Sequence, residues 1–343
     1  MFLLTRHEGG PILIPDDNLP WEKEGVFNPG VVQIGKEVIM LYRAVGETSS
    51  YVSHFGLAKS EDGILFKRVS NMPVFGPKEL FDKWGTEDPR IVKIEDDFYI
   101  TYVALAKRVM SDGKFSKNIE TTTALLKTRD FISFKNLGII SAENSDNKDI
   151  VLFPKKINGR YCMLHRPNHW HKAWCDHLKT NGEVMNWPCN LSNLPQNPSI
   201  WIAWSDDLKN WKDHQVFLES SHPGDSKIGP GLPPIETKEG WLVIYHHAIL
   251  TNKKDSFFYS ARAALFDLND PTRLIGKLPH HILAPEMPYE KEKISDIIFP
   301  TGGFVSGDTL FIYYGASDRY VCLATGSLSQ LLSELKQSNP SKI

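Results

Sequence analysis

The segment Gly85-Thr86-Glu87-Asp88-Pro89-Arg90 sets two carboxylates beside a guanidinium. Such a group can supply one proton and bind several hydroxyls, and Asp88 is the candidate proton donor. An acid before proline is also an ordinary turn former, so the residue type alone leaves both readings open. Related polar groups recur along the chain: Asn28-Pro29, Arg43, Tyr102, Lys148-Asp149, His165-Arg166, Tyr245-His246-His247, Tyr259, Tyr313-Tyr314 and Asp318. Carboxylates, amides, cations and aromatic rings gathered in one place describe a sugar site, where rings stack on the pyranose and polar groups bind its hydroxyls. Arg43 has a second reading as an ion pair between sheets. Trp201, Trp204, Trp211 and Trp241 read as packing residues.

These residues converge only if the chain repeats, and a unit does recur about every 60–80 residues. Each unit opens on a short polar or Pro-containing segment, followed by an apolar strand, a polar turn and a strand rich in Tyr, Ile or Val. The openings are Phe27-Asn28-Pro29-Gly30, Glu87-Asp88-Pro89-Arg90, Lys148-Asp149, Gly229–Pro234 and Phe299-Pro300-Thr301-Gly302. Gly35-Lys36, Asp96-Asp97, Asn158-Gly159, Lys238–Gly240 and Ser306-Gly307-Asp308 supply the turns, because Gly, Asn and Asp accept the positive φ of tight hairpins. Five comparable antiparallel sheets predict an all-β fold, a five-bladed β-propeller of one domain spanning 1–343, with a short helix over Leu328–Leu335 near the C-terminus. In a propeller the first strands line the central channel, so the unit openings form one depression. A two-sheet sandwich would not place the same motif type at every strand start.

The bulk numbers restrict the partners. The 343 residues carry a formal net charge of -2 with no run of Lys or Arg, so neither nucleic acid nor an anionic membrane is indicated. No apolar stretch reaches the roughly 18 residues that cross a bilayer. The start Met1-Phe-Leu-Leu-Thr-Arg6 does not read as a secretory signal, and the expected location is cytoplasmic. Cys162, Cys175, Cys189 and Cys322 are scattered, without a Cys-x-x-Cys pair, so no disulfide framework is expected.

The motifs taken together resemble the β-mannoside phosphorylases of glycoside hydrolase family 130. The resemblance lies in Phe27-Asn28-Pro29-Gly30, Gly85–Arg90, Lys148-Asp149-x-x-Leu152-Phe153-Pro154, Leu164-His165-Arg166-Pro167, Pro198-Ser199-Ile200-Trp201, Gly231-x-Pro233-Pro234-Ile235, Tyr245-His246, Phe299–Gly302 and Tyr314-Gly315-Ala316-x-Asp318. It runs in order from about residue 27 to 325, and implies the same five-bladed fold. It also implies inverting phosphorolysis, a hexosyl transfer from a β-mannoside to inorganic phosphate giving α-mannose 1-phosphate, in an enzyme of the type acting on β-1,4-mannosyl oligosaccharides or mannosyl-N-acetylglucosamine. On this resemblance Asp88 is the general acid, acting directly or through a sugar hydroxyl. Asn28, Arg43, Glu87, Arg90 and Asp318 bind the sugar, and Lys148, Arg166, His246 and Tyr259 bind phosphate. Phosphate is the co-substrate; no cofactor or metal is implied.

Two departures stand out. Residues 168–196 form an extra stretch whose length suggests a part in acceptor binding. Its His169, His171, Cys175, His177 and Cys189 lack zinc-ligand spacing. His246-His247 stands where Tyr-His-Gly is common. A hydrolase on the same scaffold and a non-catalytic sugar-binding propeller are the competing readings; linkage, acceptor and homo-oligomerisation stay open.

Overall fold

The computed structural model describes residues 1–46, 51–107, 110–111, 114–115, 120–141, 146–180, 189, 191–220 and 226–338. The described chain is mostly β. Three antiparallel four-stranded sheets come first. They run Gly25–Ile34, Glu37–Val45, Ser53–Ser60, Lys67–Arg68; then Thr86–Ile94, Asp97–Lys107, Glu120–Thr128, Lys135–Ile139; then Asn147–Leu152, Tyr161–Pro167, Ile200–Ser205, Trp211–Leu218. Of the remaining strands, Met110–Ser111 and Lys114–Phe115 pair as a separate two-stranded sheet, and nine join one sheet. It consists of an antiparallel run around Gly240–Leu250 and Phe257–Phe266, and another of Asp296–Ser306, Thr309–Ala316 and Tyr320–Ser327. Among the described residues the two runs pair only where Phe258 and Tyr259 lie parallel to Asp296 and Ile297. The N-terminal strand Thr5–Arg6 is the outermost strand of the last run, pairing with Thr325 and Ala324.

Burial follows the alternation of the strands. Each apolar layer is shared by successive sheets: Leu41 and Phe55 with Ile100 and Tyr102, Val92 and Leu125 with Leu152 and Met163, and Leu164 and Ile202 with Val243 and Phe266. Leu242 and Ile244 pack with Ile312 and Tyr314, and a final layer returns Tyr313, Val321 and Leu323 to Val31 and Met40 of the first sheet. Trp241 is buried in these layers and Trp201 in a separate cluster with Trp170, Cys175 and Leu194, both as packing residues.

Most of the strand-end aromatics anticipated around the site are structural instead. Tyr42 donates its hydroxyl to buried Glu22 at 2.7 Å, Tyr102 to buried Asp82 at 3.0 Å and Tyr314 to buried Glu290 at 2.9 Å. Tyr313 donates to the Gly63 carbonyl at 2.7 Å. In the first three, each phenol fixes a carboxylate in the chain leading into a sheet, so the loop and the sheet lock together. Tyr102→Phe should cost about 1–3 kcal/mol, the penalty for leaving a buried acceptor without its donor, with kcat unchanged. Urea unfolding and a turnover assay check both halves.

Among the described residues two α-helices lie outside the sheets. Leu328–Gln337 is the expected C-terminal helix; Ser327 caps it by accepting from the Gln330 N–H, and Leu331, Leu332 and Leu335 are buried. The helix Lys172–Thr180 was not anticipated. It belongs to the 168–196 segment, whose residues 181–188 and 190 lie outside the described residues. A second correction concerns the cysteines. Cys175 and Cys189 form a disulfide, so neither thiolate is free for zinc, while Cys162 and Cys322 are buried free thiols. Among the described residues no helix is long and apolar enough to cross a membrane.

Candidate functional site

One irregularity, repeated three times, builds the site. Between Phe27 and Gly30, Glu87 and Arg90, and Lys148 and Val151 the first strand of a sheet carries one residue more than its partner. This β-bulge turns one side chain out of the ladder. The residues turned are Asn28, Asp88 and Asp149, at φ 47°, 51° and 59°. Asn and Asp tolerate this left-handed region better than other residues with a Cβ, which explains the residue type at each bulge.

Asp88 and Asn28 then meet. Asn28 Nδ2 donates to Asp88 Oδ1 at 2.8 Å, and Arg43 Nη1 donates to the same oxygen at 3.1 Å. Arg43 Nη2 donates to Glu87 Oε1, and its Nε donates to Ser53 Oγ at 2.9 Å. Arg43 is thus both an ion pair between sheets and part of the site, so the two readings of it coincide. Asp318, at φ 50°, lies within electrostatic reach of Arg43, Lys293 and Asp88. Burial pushes its carboxyl pKa up, assisted by Asp88 and opposed by Arg43 and Lys293. Gly315 makes the approach possible: a Cβ there would come within 1.9 Å of Asn28 Oδ1.

Asp149 organises the other half. Its Oδ1 accepts from Arg90 Nη2 at 3.0 Å, and its Oδ2 accepts from Arg166 Nη2 at 2.7 Å and Nε at 3.2 Å. Burial opposes ionisation, but Arg166, Arg90 and His246 prevail and hold this carboxyl well below the usual range. His246 Nε2 is 3.7 Å from Asp149 Oδ2, and both its ring nitrogens are buried without a hydrogen-bond partner. Burial depresses the imidazole to about 3 despite Asp149, so His246 is neutral at physiological pH and offers a hydrogen bond rather than a charge. Gly229 permits this packing, since a Cβ would meet His246 Cε1 at 2.4 Å and Asp149 Oδ2 at 2.9 Å.

Lys148 pairs with Arg166 in the ladder, and Lys227 enters from the next sheet with its ammonium 4.5 Å from the Phe257 ring centroid and 5.6 Å from that of Tyr259. Burial, then the charges of Arg166 and Lys148, bring Lys227 down to about 7. Tyr259 joins the halves: burial raises its phenol pKa, with Arg166 on one side and Asp318, Asp149 and Asp88 adding their fields. The result is a pocket with a carboxylate pole and a cationic pole.

Against the expectations from sequence, Asn28, Arg43, Glu87, Asp88 and Asp318 do come together, as do Lys148, Arg166, His246 and Tyr259. Arg90 differs. It is 2% exposed and its guanidinium is committed to Asp149, the Gly231 carbonyl at 2.7 Å and the Asp88 carbonyl at 3.0 Å. It braces the two bulges against each other instead of facing a sugar. His165 is likewise structural, its Nδ1 accepting from Asn147 Nδ2 at 2.9 Å and its Nε2 meeting His214 Nδ1 at 3.1 Å. Lys227 and Tyr51 had not been singled out, and Asp149, named among the recurring polar groups, had been given no role of its own. Asp149 was visible as the third member of the Asn28–Asp88 series. Lys227 carries no local signal and is delivered by its register opposite Ala248. Tyr51 places its ring 5.7 Å from the Arg43 guanidinium.

The family model of glycoside hydrolase family 130, described as beta-1,4-mannooligosaccharide phosphorylase, matches residues 14–337. The chain belongs to this family. A 1,2-beta-oligomannan phosphorylase of Thermoanaerobacter sp. (strain X514) is 34% identical to this family 130 chain over 332 residues, covering 94% of it and 97% of the relative. A beta-1,2-mannobiose phosphorylase of the same organism is 34% identical over 340 residues, again with 94% and 97% coverage. The solved beta-1,2-mannobiose phosphorylase of Listeria innocua, in complex with beta-1,2-mannobiose, matches with a TM-score of 0.75 at 28% identity, covering 98% of this chain and 99% of that one.

The charge layout of the family 130 chain predicts a proton-linked anion site. Burial and the neighbouring cations depress Lys227 to about 7, and a bound phosphate would favour its ammonium form. Phosphate binding at pH 8 should therefore take up a proton, measured by calorimetry in two buffers of different ionisation enthalpy. Lys227→Met should abolish the uptake, and uptake that persists in this variant would remove Lys227 from the site. In the empty protein the sign of the stability effect follows from the depressed value. Between about 7 and the ordinary Lys value the unfolded chain binds more protons, so this group's contribution to stability rises with pH.

Proposed function

We propose that the chain catalyses inverting phosphorolysis of β-mannosides, releasing α-mannose 1-phosphate and a shortened acceptor, on one five-bladed propeller spanning 1–343. The sheets, with the nine-stranded sheet divided at its short parallel contact, and the apolar layers that return to the first sheet support that architecture. Asp88 donates a proton to the leaving oxygen. Asn28, Arg43, Glu87 and Asp318 hold the mannosyl hydroxyls, and Lys148, Arg166, Lys227, His246 and Tyr259 hold inorganic phosphate, the co-substrate, with no cofactor needed.

One observation carries the choice of phosphate over water. An inverting hydrolase needs a second carboxylate free to activate water opposite the acid. Among the cations sits Asp149, and both its oxygens are occupied by Arg90 and Arg166, while Asp146 lies within electrostatic reach of Lys227. Asp149 cannot serve as a base, whereas the cations around it suit a nucleophile that arrives already anionic.

Linkage is the finer point. The family description names β-1,4-linked substrates, while the relatives at 34% identity are named for β-1,2 linkage. We assign β-1,2-mannosides on that similarity. The cytoplasm is kept as the proposed compartment, supported by the lack of any membrane-crossing helix among the described residues. Incubation of β-1,2- and β-1,4-mannobiose with and without phosphate tests the reading. α-Mannose 1-phosphate should form from the β-1,2 substrate only when phosphate is present. Free mannose released at a rate indifferent to phosphate would show a hydrolase, and no turnover on either substrate would favour a binding protein.

A further inference from the structure

Arg166 has a third contact that the pocket itself does not supply. Asp149 takes its Nε and Nη2, and the remaining Nη1 donates to Asn168 Oδ1. Asn168 is the first residue of the 168–196 segment, and it is held from both sides. Its N–H donates to the Asp146 carbonyl at 2.8 Å. Two residues on, Trp170 is 3% exposed and wedged edge-on against Trp201 at 5.3 Å and His214 at 5.4 Å.

The same apolar cluster contains Cys175 of the Lys172–Thr180 helix, and Cys189 packs against it. Their disulfide ties the helix to the limb that returns toward Leu194. The Lys172 N–H donates to the Pro195 carbonyl at 2.9 Å as a second tie. Cys189 is only half-buried, whereas Cys162 and Cys322 lie inside the sheet cores.

Resting on the assignment of Arg166 to phosphate, we propose that this segment is a thiol-responsive clamp on the phosphate site: Asn168 is a positioning residue for Arg166, and the Cys175–Cys189 bond sets how firmly Asn168 is held. The chemistry is thiol–disulfide exchange with a dithiol. Its first thiolate attacks the half-buried Cys189 sulfur and releases Cys175 as a thiolate. Its second thiol then displaces Cys189 and closes a disulfide on the reductant. Two electrons and two protons pass to the cysteines. Reduction frees the return limb, loosens Trp170 and Asn168, and leaves the Arg166 guanidinium held by Asp149 alone. The segment abuts the cationic pole through Asn168, so its effect falls on phosphate.

The test compares the air-oxidised enzyme with the enzyme after dithiothreitol. The oxidised protein, denatured without reductant, should show two free thiols of its four cysteines; four would overturn the proposal. Reduction should raise the KM for phosphate several-fold and leave kcat and the KM for the mannoside unchanged. The double variant Cys175→Ser, Cys189→Ser should match the reduced enzyme. Should that variant fail to fold, chemical reduction of the folded native enzyme decides alone. Asn168→Ala should raise the phosphate KM roughly tenfold, as expected for one lost hydrogen bond to a charged group, and should no longer respond to dithiothreitol. A phosphate KM indifferent to reduction overturns the clamp. So does an Asn168→Ala enzyme that keeps the thiol response, or a reduction that shifts kcat and both KM values together. Absence of phosphate-dependent turnover in the oxidised enzyme would instead defeat the phosphorylase reading.

Discussion

Asp88→Asn should lower kcat roughly 10²–10⁴-fold while the protein folds and binds the mannoside as before. Asn28 and Arg43 both donate to Oδ1 of Asp88. An asparagine whose amide oxygen occupies that place keeps both bonds and nearly the same volume. Arg43 keeps a charged partner in Glu87, so no buried cation is stranded. What disappears is the carboxyl group proposed to give a proton to the leaving oxygen. The loss should shrink on an aryl mannoside, whose leaving group needs less protonation. Initial rates on mannobiose and on a nitrophenyl mannoside, with binding followed by calorimetry, check the prediction. A variant that binds the sugar and turns over at the native rate would remove Asp88 from the mechanism.

The second large effect belongs to Asp149→Ala. Arg90 and Arg166 are 2% and 4% exposed, and this carboxylate is the anion between them. Its removal leaves two buried guanidinium groups uncompensated, which costs about 3–5 kcal/mol. Arg90 would lose the partner that fixes its span from the Asp88 bulge to Gly231, so the damage reaches both poles. Asp149→Asn keeps the volume and part of the hydrogen bonding and should fall between native and Ala. Urea unfolding with linear extrapolation measures the order, and an Ala variant as stable as native would contradict it. The pH dependence has a definite sign. Arg166 and Arg90 outweigh burial and hold the Asp149 carboxyl below its ordinary range. Its contribution is therefore present above the ordinary Asp value and lost as pH falls below it.

The sequence reached far into this site because the site is periodic. The polar openings Asn28-Pro29, Asp88-Pro89 and Lys148-Asp149 stand out against apolar strands, and the hairpin turns between those strands are written in Gly, Asn and Asp. A bulge residue must accept positive φ, which restricts the residue types and makes them legible without coordinates. The C-terminal helix was legible for a similar reason, its leucines falling at helical spacing.

Other features depend on partners remote in the chain, which no local pattern encodes. Arg90 read as a substrate ligand until its partners Asp149 and Gly231 were in place, 59 and 141 residues away. Tyr102 and Tyr314 read as a sugar platform until Asp82 and Glu290 claimed their hydroxyls. Cys175 and Cys189 show no spacing signature, and they become a pair only once the helix packs on Trp170 and Trp201. Sequence alone therefore determined the sheet repeat and the polar residues at its openings, because backbone geometry confines those residues locally. Only the tertiary structure decided which carboxylate is free and which is bound. Asp88 and Asp149 occupy equivalent bulges, but Asp88 meets Asn28 and Arg43 at one oxygen while Asp149 is neutralised by two buried arginines at both. That difference in charge environment, set by long-range packing, separates the proposed proton donor from a structural counterion.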